Sequence, residues 1–197
     1  MSPTEPATPT AARPSPARER LLEAAQTLFY NEGIHAVGVD RVIEAANVTR
    51  ATMYKQFRGK EGLVLAYLGG EDAQLRALFS SAAGDVSEPD ALLEAVIQGI
   101  EADIRERHTR GCPFINAAAE YPDQGPVRSL IDAHREWFRG TLGQLAAAAG
   151  LRDPEDVAAS LVLLRDAALV GGYLDGQERT ASAFARTARG VLAAHRP

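Results

Sequence analysis

The sequence predicts an all-α protein of about nine helices, and three observations carry that reading. Apolar residues recur at three- and four-residue spacing through most of the chain. Gly and Pro clusters punctuate the pattern at helix-length intervals. No stretch alternates apolar and polar residues between hairpin turns, and no fixed-period repeat is present. The chain has 197 residues, 46% hydrophobic and 24% charged. A chain of this length buries roughly 70% of its unfolded surface and needs no covalent staple. Its single cysteine, Cys112, excludes a disulfide framework or a cysteine zinc cluster within one chain, which suits a reducing cytoplasm. No apolar run approaches the roughly 18 residues of a membrane span, and the N-terminus has no signal-type apolar core. A cytoplasmic protein without membrane contact is expected, with no cofactor or metal.

The elements follow in order. Residues 1–16 hold five prolines and no aromatic residue, which predicts a disordered arm. Leu21, Leu22, Ala25, Leu28 and Phe29 form one face of a first helix, stopped at Gly33. Val39, Val42, Ile43 and Ala46 give a short second helix, and a third runs from about Arg50 to Phe57. A long fourth helix spans Lys60 to about Ala82 and is closed by Gly84. Gly69-Gly70 inside it suggests a hinge, a kink or a close helix contact. Ser87 and Asp90 resemble a capping box for a helix reaching about His108. Gly111-Cys112-Pro113 breaks the chain and opens another helix. Tyr121 to Pro126 is a turn cluster before a helix to about Ala149, with Gly150 past its end. Asp153-Pro154 pairs an N-cap with a first-turn proline and starts an apolar helix to about Leu174. A last helix covers about Thr180 to Ala194.

Charge is unevenly placed. Net charge is −5, yet residues 41–60 carry Arg41, Arg50, Lys55, Arg58 and Lys60 against Glu44 alone. An acidic body with one short basic segment points to a localised anion contact, with a phosphate backbone as the leading candidate. The same segment, Gly38 to Phe57, has helix-turn-helix form. Ala46 is small at the helix crossing, Asn47 tolerates the positive φ of a tight turn, and Val48 plugs the corner. Thr49 caps the third helix, and Met53 and Phe57 face the core. Arg50, Thr52, Tyr54, Lys55 and Gln56 remain for an outer face of donors and methyl groups suited to a major groove.

The run Val48-Thr-Arg-Ala-Thr-Met-Tyr-Lys-Gln-Phe-Arg-Gly-Lys-Glu-Gly-Leu63 resembles the signature of the TetR family of bacterial transcriptional regulators, with Tyr54, Phe57 and Lys60 at the family's spacing. The resemblance covers about residues 18–65. It implies a helix-turn-helix DNA-binding head (17–62), an effector-binding and dimerisation body (63–197), a homodimer and a palindromic double-stranded DNA operator. Carried over by position, Thr49, Thr52, Tyr54 and Lys55 face DNA, Lys60 holds a phosphate at a helix start, and Arg41 is a further phosphate candidate. Departures are Val37-Gly38 where a Ser or Thr often caps, Asn47 where Gly is usual, and Gln56 where His is frequent. Gln reads adenine bidentately, so the operator preference is expected to differ.

In the body, the helix from Val157 to Leu174 is apolar nearly all round, which requires burial all round and implies a second subunit. The expected dimer residues are Leu161, Leu164, Ala168, Phe184, Ala188 and Val191. Candidate effector contacts are Phe79, Ile100, Ile104, Phe114, His134, Trp137 and Leu163, with few buried charges, so an apolar or amphipathic small molecule is expected. Cys112, at a helix start near His108 and Arg110, is a candidate redox or electrophile sensor. Two rivals are an enzyme built on Cys112 and His108 and an all-α adaptor that binds protein. The chain has no phosphate loop, no metal signature and no nucleophile elbow, so no enzyme is expected. The intact Thr49, Tyr54, Lys55 and Lys60 disfavour the adaptor.

Overall fold

The computed structural model describes residues 15–85 and 88–197. Among these, nine α-helices and one π-helical segment form the whole regular structure: α1 (Pro16–Glu32), α2 (Val39–Ala45), α3 (Arg50–Phe57), α4 (Lys60–Asp85), α5 (Pro89–Ala102), the π segment (Asp103–Arg107), α6 (Pro113–Glu120), α7 (Pro126–Ala148), α8 (Pro154–Asp175) and α9 (Gln177–Ala194).

The end of the expected arm opens α1, with Ser15 as its N-cap and Pro16 as its first residue. The Ser15 hydroxyl accepts the Arg18 amide at 3.3 Å and Pro16 takes the first turn, where its missing N–H is no loss. Residues 1–14 lie outside the described residues, as does Ser87 of the expected capping box; Glu88 holds the N-cap position of α5 without a side-chain bond. Gly84 does not end α4, which continues to Asp85. Asp153 sits at the N-cap of α8, but in left-handed geometry and without its side-chain hydrogen bond. The last helix begins three residues earlier than expected, at Gln177.

Leu21, Ala25 and Phe29 of α1 meet Val42 of α2, Met53 and Phe57 of α3 and Leu63 of α4 in one buried cluster. Each such side chain contributes about 1.5–3 kcal/mol by leaving water. The α4 helix then runs on into the rest of the chain, where it packs against α5, α6 and α7. The most extensive packing is α8 against α9 and α7. This corrects the reading of the apolar stripes. Leu161, Ala168, Phe184 and Ala188 are buried within the single chain, where α8 packs on α7 and α9 and α9 packs on α5, while Leu164 and Val191 are half-buried. The apolar residues left outside on α8 are Leu163 and Leu174, both 70% exposed, with Val170 and Tyr173. By length and composition α8 is also apolar enough to cross a membrane, contrary to the run-length expectation, yet eight of its residues, Arg165 among them, are buried against the rest of the chain.

Glycines in α4 differ in kind. A Cβ on Gly62 would lie 1.9 Å from the Phe57 carbonyl oxygen, so the α3–α4 corner admits no side chain there. Gly69 and Gly70 have open space around the same position, so close helix contact is not their reason. Gly62→Ala is expected to destabilise the protein by about 1–3 kcal/mol. Gly69→Ala and Gly70→Ala should each stabilise it by about 0.5–1 kcal/mol. Urea unfolding of the three variants measures both signs.

Candidate nucleic-acid interface and an internal cavity

The turn between α2 and α3 is built as its residues dictate. Asn47 adopts φ 49°, the Val48 amide donates to the Ile43 carbonyl at 3.2 Å, and Ala46 is buried. From α1, Arg20 donates to the Ala46 carbonyl at 3.1 Å and pins the turn from below. The Thr49 hydroxyl accepts the Thr52 amide at 3.2 Å and lies 2.8 Å from the Thr52 hydroxyl. Gly38 opens α2 without a side-chain cap. A left-handed Arg58 (φ 60°) ends α3.

Thr49, Arg50, Tyr54 and Lys55 are exposed, and Thr52 and Gln56 are half-buried. Two of the basic residues are already paired: Arg50 with Asp40, and Arg41 with both Glu32 oxygens. Lys55 has no ion pair among the described residues. Lys60 opens α4 and donates to the His35 carbonyl at 3.5 Å. Burial lowers its ammonium below the ordinary lysine value, and Glu120 works against that.

A cavity of about 350 Å³ lies in the body. Leu75, Phe79, Val96 and Ile100 of α4 and α5 give it apolar walls, and Phe114, Phe138 and Arg165 come from α6, α7 and α8. Of the candidate effector contacts, Phe79, Ile100 and Phe114 line it. Ile104 and His134 are buried outside the lining, and Trp137, half-buried, is also outside it. Ile104 packs close to Gly172, and His134 stacks on Phe114 at 3.6 Å with Nδ1 2.8 Å from Asp72. Trp137 lies edge-on to Phe79, behind the wall. Leu163 is on the solvent side of α8. Buried charges are few, as expected, but two of them, Glu71 and Arg165, stand at the cavity, and half-buried Asp103, Arg107 and His108 also line it. The sequence signal was a lone Arg165-Asp166 pair inside an otherwise apolar helix.

These charges form a network. Glu71 Oε1 accepts from Gln26 of α1 at 2.8 Å; Oε2 accepts from Arg107 at 2.7 Å and lies 3.3 Å from His108 Nε2. His108 Nδ1 is 2.7 Å from Asp103 Oδ1. Burial alone would push the His108 pKa down, but Asp103 and Glu71 on either side raise it above the ordinary value. Burial alone would raise Glu71, but His108 and Arg107 hold it below the usual carboxylate range. A second joint links head and body. The Tyr30 hydroxyl donates to the Gly111 carbonyl at 2.9 Å and accepts the Arg110 amide at 2.7 Å. Glu120 accepts the Ile34 and His35 amides. Cys112 is 1% exposed, its sulfur 3.7 Å from Arg165 Nη1. Both His108 nitrogens face carboxylates, Nε2 towards Glu71 and Nδ1 towards Asp103. Among the described residues no group of His, Cys, Asp and Glu is arranged to hold a metal.

Comparison with known proteins agrees with this architecture. Residues 21–67 match the family model for bacterial regulatory proteins of the tetR family. A TetR-family transcriptional regulator from Streptomyces coelicolor is 43% identical, with a TM-score of 0.88 over 91% of this chain and 96% of that one. The transcriptional regulator AcuR of Cereibacter sphaeroides is 28% identical over 94% of this chain and 92% of its own. The HTH-type regulator YvkB of Bacillus subtilis is 32% identical, a match confined to 36% of this chain and 38% of that protein.

The raised His108 pKa has a definite sign. Its stabilisation is complete below the ordinary value of 6.5 and fades as pH rises through the higher folded value. His108→Gln should therefore cost about 1–3 kcal/mol near pH 6, and the deficit should shrink towards pH 9. Unfolding midpoints of both proteins across that range test it.

Proposed function

Since the chain belongs to the TetR family of transcriptional regulators and carries its DNA-binding helix-turn-helix, we propose that it is a homodimeric repressor released from a palindromic operator by a small molecule. It acts in the cytoplasm and catalyses no reaction. The observation that carries the ligand-responsive part is Glu71. One of its oxygens is held by Gln26 of the head and the other by Arg107 and His108 of the cavity wall. A ligand that displaces the wall alters the partners of Glu71 and, through α1, the attitude of α3.

On this reading Tyr54, Thr52 and Lys55 enter the major groove, Thr49 and Lys60 hold phosphates, Gln56 reads a base edge, and Arg50 and Arg41 flank them. The exposed apolar face of α8, with Leu163, Val170, Tyr173 and Leu174, meets its symmetry mate. A two-fold axis then sets the two α3 helices about 34 Å apart, one turn of DNA.

Fluorescence anisotropy on duplex from the gene's own upstream region, with random duplex as competitor, tests the reading. Tight, salt-sensitive, competitor-resistant binding is the expected result; binding no better than random would sink it. Tyr54→Phe and Lys60→Ala should weaken binding to every sequence, and Lys60→Ala should lower the salt slope by about one. An unchanged slope removes Lys60 from the contact. Leu163→Glu with Leu174→Glu should give a helical monomer by light scattering, and a persisting dimer would place the interface elsewhere.

A further inference from the structure

Charge around the cavity is unequally satisfied. Glu71 accepts from Gln26, Arg107 and His108; half-buried Asp103 has its Oδ1 2.7 Å from His108 Nδ1, close enough for an ion pair but without an aligned hydrogen bond, so the buried carboxylate, Glu71, is the one fully answered. Arg165 is not. It is 5% exposed, and its Nη1 stands 3.5 Å from Asp166 Oδ1 and 3.7 Å from Cys112 Sγ. Asp166 itself is taken by Arg135 at 2.8 Å. The other guanidinium donors, Nε and Nη2, have no hydrogen-bond partner among the described residues. The group rests 5.1 Å from the Phe138 ring centroid and forms part of the cavity wall.

We infer that the cavity takes an amphipathic carboxylate, its anionic head on Arg165 and its apolar chain along Leu75, Phe79, Val96 and Ile100. This rests on the ligand-responsive reading above. A planar guanidinium matches a carboxylate with two parallel hydrogen bonds, and in a water-poor site that pairing is strong. A cationic ligand head would meet the Arg165 guanidinium at the buried end, and a neutral one would leave the guanidinium edges unanswered. Glu106, the remaining acid of the lining, is exposed to solvent and does not neutralise the buried end. At about 350 Å³ the cavity stands near the lower end of the roughly 300–1,000 Å³ of small-molecule sites, which suits a short acid.

Isothermal titration of the full-length protein with octanoate, 1-octanol, octylamine and acetate tests the inference. Octanoate should bind at least about tenfold tighter than the alcohol or the amine, and acetate, which lacks the chain, should not bind measurably. Arg165→Gln should bring octanoate down to the level of the alcohol and leave the alcohol within about twofold of its wild-type affinity. The wild-type series discriminates by itself if the variant fails to fold. Equal binding of octanoate and octanol, a preference for octylamine, or no binding by any probe overturns the inference. The same probes added to the protein–operator complex separate the two readings. Octanol releasing DNA as well as octanoate keeps the ligand response and discards the carboxylate. Arg165-dependent octanoate binding that leaves DNA bound keeps the carboxylate and discards the ligand response.

Discussion

A carboxylate is tolerated inside a protein only when both of its oxygens are answered, and Glu71 is answered from two sides. Gln26 comes from the first helix of the head, whereas Arg107 and His108 come from the wall of the cavity. Neither side alone completes the pairing, so α1, α4 and the segment after α5 hold a common position. Tyr30 with Arg110, and Glu120 with the Ile34 and His35 amides, fasten the same junction by neutral and charge-assisted hydrogen bonds. These polar contacts stand beside the apolar packing of Phe29 on Tyr67, so the junction joins a continuous core to a set of directional hydrogen bonds that can exchange partners.

The π segment explains how the wall presents these groups. In a regular α-helix, residues five apart are rotated well away from one another. Here the His108 amide donates to the Asp103 carbonyl at 3.0 Å, five residues back, and the two side chains meet at 2.7 Å. One extra residue in the turn stacks Asp103 over His108 and sets the imidazole between two carboxylates. Single-turn π geometry of this kind recurs at functional sites.

Local chemistry made much of this legible beforehand. The spacing of Leu21, Ala25 and Phe29, the Thr49 cap and the left-handed Asn47 are decided by near neighbours, and the structure reproduces them. Long-range choices were not legible. A stripe such as Leu161, Ala168, Phe184 and Ala188 announces burial but not against what; here neighbouring helices of the same chain cover it. The cavity wall is the same case: Ile104, His134 and Trp137 are apolar or aromatic and near the cavity, yet a turn of helix decides which side chain faces the void. The π bulge has no composition signal at all.

Arg50 and Arg41 have one more implication. Each already holds a carboxylate, Asp40 and Glu32 respectively. A phosphate arriving at either guanidinium displaces an acid belonging to the protein, which stays tethered nearby and repels the newcomer. Such a surface carries its own counter-ions. If this surface meets DNA as proposed, its grip on polyanions in general is damped. Under the proposed DNA-binding role these acids temper affinity and leave the choice of sequence to base contacts from α3.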